Sequence, residues 1–333
     1  MEKPFFSIVI PTYNPSKYIE RMLYSISQND CVNEIEVILS DDCSEESLDQ
    51  YVEKFSQMDI KIIKNEKHAG YPMVGRQRGA DAATGEWLTF ADQDDYYLYG
   101  ALDAIKKEIE EQKPETNLCC AIYKELGEER TYVEPTEAWT HGKFIRKSFW
   151  DETNLFYDHV ERCEDTNIVI KLQCVLIENG QQLCCFKSPV YVWCENDDSL
   201  SHKDGVEYYA DSLTDYTKTS LGVITDYLEK HQNDELCGIF TKSFIVTLYR
   251  VYFYLQSNAF QIYKDKALKA ILAVQVLYER FKAVTGMTNE SLINLTYAGE
   301  YVDEFNFTRE RTCNDVKFVE YISFKDWLNM FFC

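Results

Sequence analysis

The sequence predicts an α/β fold, a largely parallel central sheet flanked by helices, followed by a helical appendage. Three observations carry this expectation. Through about residue 200, short apolar runs of strand length alternate with stretches of helical periodicity. Three of the apolar runs end in polar or acidic clusters: Pro11-Thr12-Tyr13-Asn14, Asp41-Asp42 and Asp92-Gln93-Asp94-Asp95. Beyond Val206 the strand patterning stops and helical periodicity dominates, as in Ile239–Leu255 and Ala267–Phe281. The expected division is therefore 1–205 for the α/β domain and 206–333 for the helical region.

Taken in order, Phe5–Ile10 reads as a buried strand and Pro15–Gln28 as a helix that Asn14 is placed to cap. Glu36–Ser40 reads as the second strand, Ser44–Gln57 as a helix with Ser44 as N-cap, and Ile60–Lys64 as the third strand. Met73–Thr84 reads as a helix closed by Gly85, a natural C′ residue. Glu86–Ala91 is a strand that runs directly into Asp92. A helix follows over Leu98–Glu111, then a strand over Leu118–Tyr123 and a helix over Glu164–Ile177. Leu183–Phe186 and Val190–Trp193 read as a late strand pair, and Glu195–Gly205, rich in Asn, Asp and Ser, as a loop. The terminal segment Phe324–Cys333 sets Phe324, Trp327, Leu328 and Phe331 at helical spacing. It reads as a helix packed on the body or at a homodimer interface. Peripheral membrane association stays open, although one Lys gives little attraction to anionic lipid.

Bulk properties narrow the function. The 333 residues hold 34 Lys and Arg against 56 Asp and Glu, a formal charge of -22. A field of that sign repels nucleic acid, whereas a nucleotide binds if a divalent cation screens its phosphates. The start Met1-Glu2-Lys3-Pro4 leads into an apolar run too short for an export signal. The expectation is a cytoplasmic chain, at most at the inner face of a membrane, whose 12 Cys are mostly free thiols. Adjacent Cys119-Cys120 and Cys184-Cys185 lack metal-ligand spacing and read as small buried side chains.

The chemistry concentrates at Asp92-Gln93-Asp94-Asp95. Three carboxylates at the end of a hydrophobic strand repel one another, and a hard cation such as Mg²⁺ or Mn²⁺ relieves that repulsion while bridging to a diphosphate. In open α/β sheets ligands bind beyond the carboxyl ends of strands. Asp42 and Tyr13 stand at two other such ends, where a carboxylate accepts a hydrogen bond from a base N–H and a ring stacks on the base. The first strand–helix turn has no glycine, so the G-x-G-x-x-G dinucleotide fingerprint is absent.

In these segments the sequence resembles the family 2 glycosyltransferases with the GT-A, nucleotide-diphospho-sugar transferase fold. The resemblance runs through Phe6–Asn14, Val37–Ser44, Gly75–Ala80 with Ala83–Asp95, and Glu164-Asp165, in family order across about residues 5–200. It implies that Pro11, Thr12, Tyr13 and Asp42 line a nucleoside pocket, with Arg76 either a nucleotide contact or a structural salt bridge. Asp92 and Asp94 are the implied DxD pair for ribose, diphosphate and metal (Mn²⁺ or Mg²⁺), with Asp95 in support. Asp165, beside Glu164, matches the catalytic base of an inverting transferase. The implied donor is a UDP-sugar and the implied acceptor a hydroxyl of a glycan or lipid-linked saccharide, in surface-polysaccharide synthesis. His141 is placed for the acceptor or pyrophosphate, and His202 or Lys203 for a loop over the diphosphate; ordinary structural roles compete for each. The chain departs from the family at Cys43, commonly Gly, and at Gln77, commonly Asn. The rival reading is a catalytically inactive nucleotide-sugar-binding or interaction protein on the same fold.

Overall fold

The computed structural model describes residues 3–113, 118–126, 131–132, 139–155, 162–181, 184–194, 205–255, 264–296 and 322–332. The chain forms two compact units, Met1–His159 with Lys171–Ser199, and Val160–Ile170 with Leu200–Cys333.

In the first unit the strands are β1 (Phe6–Thr12), β2 (Ile35–Asp41), β3 (Asp59–Lys64), β4 (Trp87–Phe90), β5 (Tyr96–Tyr97), β6 (Leu118–Leu126), β7 (Thr131–Tyr132), β8 (Lys143–Arg146) and β9 (Cys184–Cys194). They make one mixed sheet in the order β3-β2-β1-β4-β8-β6-β9-β5, with β7 added beside β6. The first four strands along this order are mutually parallel. Beyond them β8 runs antiparallel to β4 and to β6, and β5 antiparallel to β9. The chain steps from β1 to β2 and β3 on one side, then crosses to β4 on the other. A crevice therefore opens at the carboxyl ends of β1 and β4, the switch point where open α/β sheets bind ligands.

The helices of this unit are α1 (Ile19–Ser27), α2 (Asp49–Lys54), α3 (Pro72–Ala82), α4 (Ala101–Gln112) and α5 (Lys147–Thr153); α6 (Glu164–Glu178) has its first residues in the second unit. One face of the sheet, carrying Phe6, Ile8, Ile10, Val37 and Leu39, packs into a core with Met22, Leu23, Ile26, Leu102 and Ile105. On the other face α3 lies almost flush on β1. A Cβ at Gly79 would stand 2.2 Å from Val9 Cγ1, so only glycine admits the approach. That seat sets the helix low enough for Arg76 to be buried against the sheet.

The same face closes over a buried carboxylate. Glu36 accepts hydrogen bonds from Ser7 Oγ, Lys61 Nζ, the Thr84 main chain and hydroxyl, and Gly85 N. Burial pushes the Glu36 carboxyl up, but the bonds from Lys61, Ser7 and Thr84 together outweigh it and leave the group below the usual glutamate range. This anchor fixes the α3–β4 connection and hence the register in which β4 delivers Asp92.

The structure corrects several local expectations. Asn14 caps nothing: α1 begins at Ile19 after Tyr18, and Asn14 takes φ 43° and accepts from Glu45 N. Ser44 is no N-cap either, because α2 shortens to Asp49–Lys54 and the Ser44 hydroxyl accepts from Asn14 N. Gly85 is not the C′ residue of α3. It is needed where its backbone meets Ser7, with a Cβ only 2.6 Å from the Ser7 hydroxyl. The late strand pair is one strand, β9, with irregular register around Pro189. Strands β5 and β8 went unforeseen; both are too short to show a period. The loop expected over Glu195–Gly205 lies outside the described residues up to residue 204.

The second unit contains α7 (Gly205–Lys230), α8 (Cys237–Leu255) and helices Lys264–Thr285, Asn289–Thr296 and Phe324–Phe331. Ser323 caps the last of these by accepting from Asp326 N. Its apolar stripe turns inward: Trp327 and Leu328 are buried, and Phe324 and Trp327 stand 5.0 and 5.4 Å from Tyr252 of α8. The segment thus packs on the body of its own unit. Among the described residues no helix is long and apolar enough to cross a membrane.

Glu36→Ala should lower stability by about 2–3 kcal/mol, because it leaves several buried donors unpaired. Its carboxyl titrates lower in the folded chain than the ordinary value of about 4.5, so its contribution is present above that pH and is lost as pH falls through the folded value. Urea unfolding of both proteins at pH 7 and below about pH 4 should show the gap narrowing in acid.

Candidate functional site

Three strand ends build the crevice. From β1 come Pro11, half-buried, and Thr12, buried, whose carbonyl accepts Asp42 N at 2.8 Å. Tyr13 follows, 44% exposed, its ring 4.4 Å from that of His68. From β2 comes Asp42, which the loop 65–70 wraps. Asp42 Oδ1 accepts from Asn65 Nδ2 at 2.6 Å and Ala69 N at 2.8 Å, and Oδ2 accepts from Gly70 N at 2.8 Å. Burial pushes this carboxyl up, but the donors Ala69, Asn65 and Gly70 and the nearby His68 hold it below the usual range. Asp42 is thus a fixed anion that shapes the pocket wall.

Next to Asp42, Cys43 takes φ 66°, the left-handed region that strains a side chain bearing a Cβ. Glycine, common at this place in the resembling family, fits that backbone without strain. Here the thiol reaches the Asn65 carbonyl at 3.2 Å.

The turn after β4 is pinned from several directions. Arg76 of α3, 3% exposed, donates to Asp92 Oδ1 at 2.7 Å. His141 Nδ1 lies 3.9 Å from Asp92 Oδ2, with its ring stacked between those of Trp139 and Tyr191. Burial raises the Asp92 carboxyl, but the charges of Arg76 and His141 win and keep it ionised. Arg21 of α1 donates to the Asp94 carbonyl and covers the Tyr96 ring. Gln93 pairs with the main chain of Tyr13.

A further hold comes from β9. Tyr191, fully buried, accepts Asp92 N through its hydroxyl and donates to Asp95 Oδ2, both at 2.8 Å. Asp95 Oδ1 accepts Cys194 N at 2.8 Å. Burial, then the charges of Asp92 and Asp94, push the Asp95 carboxyl well above its usual range. One acid of the turn is therefore structural, spent on β9, while Asp92 and Asp94 border the crevice.

Residues 7–163 match the family described as glycosyl transferase family 2. This segment is a family 2 glycosyl transferase domain. Among curated proteins, 93 residues are 39% identical to the poly(ribitol-phosphate) beta-N-acetylglucosaminyltransferase TarS of Staphylococcus aureus, covering 27% of this chain and 16% of that one. Another 33% identity over 124 residues is to the GalNAc(5)-diNAcBac-PP-undecaprenol beta-1,3-glucosyltransferase of Campylobacter jejuni, 37% of this chain and 40% of that one. The chain thus spans less than half the length of these two relatives in the matched region.

Solved structures extend the likeness to nearly the whole chain. S. aureus TarS 1–349 in complex with UDP-GlcNAc superposes with a TM-score of 0.65 at 18% identity, covering 96% of this chain and 95% of that one. The mannosyltransferase PcManGT from Pyrobaculum calidifontis, in complex with GDP-Man and Mn²⁺, gives a TM-score of 0.51 at 13% identity, covering 95% and 89%. At such identity the likeness is one of fold, and the fold is GT-A.

Of the residues singled out in the sequence, the family 2 domain brings Pro11, Thr12, Tyr13, Asp42, Arg76, Asp92 and Asp94 to the switch-point crevice. His141 is buried beside Asp92, facing the turn. Glu164 and Asp165 occupy the first turn of α6, within the residues of the second unit. His202 and Lys203 lie outside the described residues. Sequence reasoning missed Tyr191, Gln93 and the loop 65–70. Only the amide of Gln93 inside an acidic turn gave a signal; Tyr191 is one tyrosine among 24.

Tyr191→Phe keeps the ring stack but leaves Asp92 N–H and an Asp95 oxygen unpaired inside the protein. It should lower stability by about 1–3 kcal/mol, read by chemical denaturation. A variant as stable as the parent would show that the hydroxyl holds nothing.

Proposed function

We propose that this chain is an inverting transferase that moves a sugar from a nucleoside-diphosphate sugar, a UDP-sugar, to a hydroxyl of a glycan or lipid-linked saccharide. The observation that carries the reading is the Asp92–Asp95 turn, held at the β1/β4 switch point by Arg76, Arg21, Gln93 and Tyr191. The UDP-GlcNAc bound by the similar TarS structure and the GDP-Man bound by PcManGT support a nucleotide-sugar in that crevice. Two similar transferases, named for polymer and lipid-linked substrates, support the acceptor class.

The donor set suits a divalent cation carried by the nucleotide. Among the described residues no cluster of three or more His, Cys, Asp or Glu forms a protein cage. Asp92 has one oxygen committed to Arg76, and Asp94 and Asp92 are the two carboxylates this reading gives the ion. Few carboxylates plus substrate phosphates is the manner in which Mg²⁺ is usually held, and Mn²⁺ suits the same oxygen ligands. When bound, such an ion neutralises charge gathering on the departing diphosphate. Tyr13 offers a ring to the base, Asp42 holds the pocket wall, and Arg76 keeps Asp92 ionised. Asp165 removes the proton of the acceptor hydroxyl as its oxygen attacks the anomeric carbon opposite the leaving phosphate. Glu164 precedes it in the same helical turn.

Asp94→Ala should abolish the Mn²⁺-dependent part of the thermal shift given by UDP while leaving the unliganded midpoint within a few degrees. A panel of nucleotide sugars with and without Mn²⁺ identifies the donor at the same time, and the absence of any such shift in the parent would overturn the reading. Asp165→Asn should bind UDP as the parent does but lose about 10²–10⁴-fold in turnover, the usual contribution of a positioned base. Transfer at the parental rate would remove Asp165 from the mechanism. Donor binding by the parent without transfer to any acceptor or to water would favour a binding protein on this fold.

A further inference from the structure

Gln93, between the two aspartates of the turn, reaches outside the turn. Its Oε1 accepts Tyr13 N at 2.9 Å and its Nε2 donates to the Tyr13 carbonyl at 3.2 Å. An amide that both accepts from and donates to one residue copies the reciprocal pairing of neighbouring strands. Two such bonds fix orientation as well as distance, which a single bond does not. A serine or alanine at this position would be too short to bridge to the other loop.

The two loops so joined carry different parts of the crevice. Tyr13 presents its ring on the nucleoside side, tilted 31° and 4.4 Å from the ring of His68 beside the Asp42 anchor. Asp92 and Asp94, on either side of Gln93 in the chain, stand where a diphosphate and its cation would lie. Ladder bonding between β1 and β4 ends at Ala91 N to the Val9 carbonyl, four residues before Tyr13. Beyond that bond, Gln93 ties the two loop tips together at the exposed rim.

We propose that Gln93 is a positioning residue that couples nucleoside recognition to seating of the diphosphate, a role that rests on the donor-site reading above. It acts through Tyr13 and through the attitude of the Asp92–Asp94 pair, with no contact to base or phosphate. Locking the two loops sets the distance between base and cation before the ligand arrives, so a ligand bearing both parts gains affinity that neither part has alone.

The test compares the parent with Gln93→Met, which keeps the length but removes both bonds, and Gln93→Ala, which removes the side chain. Isothermal titration with UMP and with UDP, each with Mn²⁺, gives the ratio of the two affinities. UMP affinity should stay within about twofold of the parent, and UDP affinity should fall about tenfold in both variants. Equal UDP affinity in variant and parent overturns the proposal alone. A parallel fall of UMP, UDP and the thermal midpoint also overturns it, since that pattern marks a merely structural residue. No UDP binding by the parent overturns this proposal together with the donor reading.

Discussion

Carboxylate repulsion is the constraint around which the first unit is organised. Asp92, Asp94 and Asp95 crowd four residues at a half-buried strand end, and such a turn would splay unless its neighbours absorbed the charge. Each acid is treated differently. Asp92 is ionised and flanked by Arg76 and His141. Asp95 is buried, taken up by Tyr191 and the main chain of Cys194, with its carboxyl pushed far up. Asp94 sits in the same turn, its main-chain carbonyl tied by Arg21. A cluster that looks uniform in sequence is thus resolved into a buried anchor, an ion-paired wall and a third acid on a tied main chain.

Those environments exist because remote parts of the chain are brought in by packing. Arg76 arrives because Gly79 lets α3 settle on Val9. Tyr191 arrives because β9 runs beside β5, the two-residue strand that begins just past Asp95. The turn therefore reports on the integrity of the whole sheet, from the Glu36 anchor beneath β1 and β2 to the far edge strand. Rigidity at the site is a property of this sheet rather than of any one loop, which is how a loop-borne constellation acquires fixed geometry.

How much of this was legible in the sequence depended on range. The alternation of apolar runs and helical periods located β1 to β4 and α3, because burial on both faces of β1, β2 and β4 leaves a local mark. The acidic ends of those strands were legible for the same reason: a carboxylate directly after a buried run can only sit at a rim. Capping was misread at Asn14 and Ser44, since both side chains prefer a partner in the other's loop to the nearest helix end. Tyr191 and Glu36 were invisible, because each works through residues about 30 to 100 positions away and neither spacing nor composition encodes such a meeting. Cys43 is an instructive middle case. Its departure from the glycine of the resembling family was plain in the sequence, but the left-handed backbone that makes it costly appeared only in three dimensions.

The seating of α3 also limits how this chain can drift over time. With a Cβ at position 79 only 2.2 Å from a methyl of Val9, neither site can grow alone. Any larger residue on the helix demands a smaller one on the strand, so the two positions must change as a pair, and natural variants of this domain should carry the imprint of that pairing as covariation between residues 70 places apart.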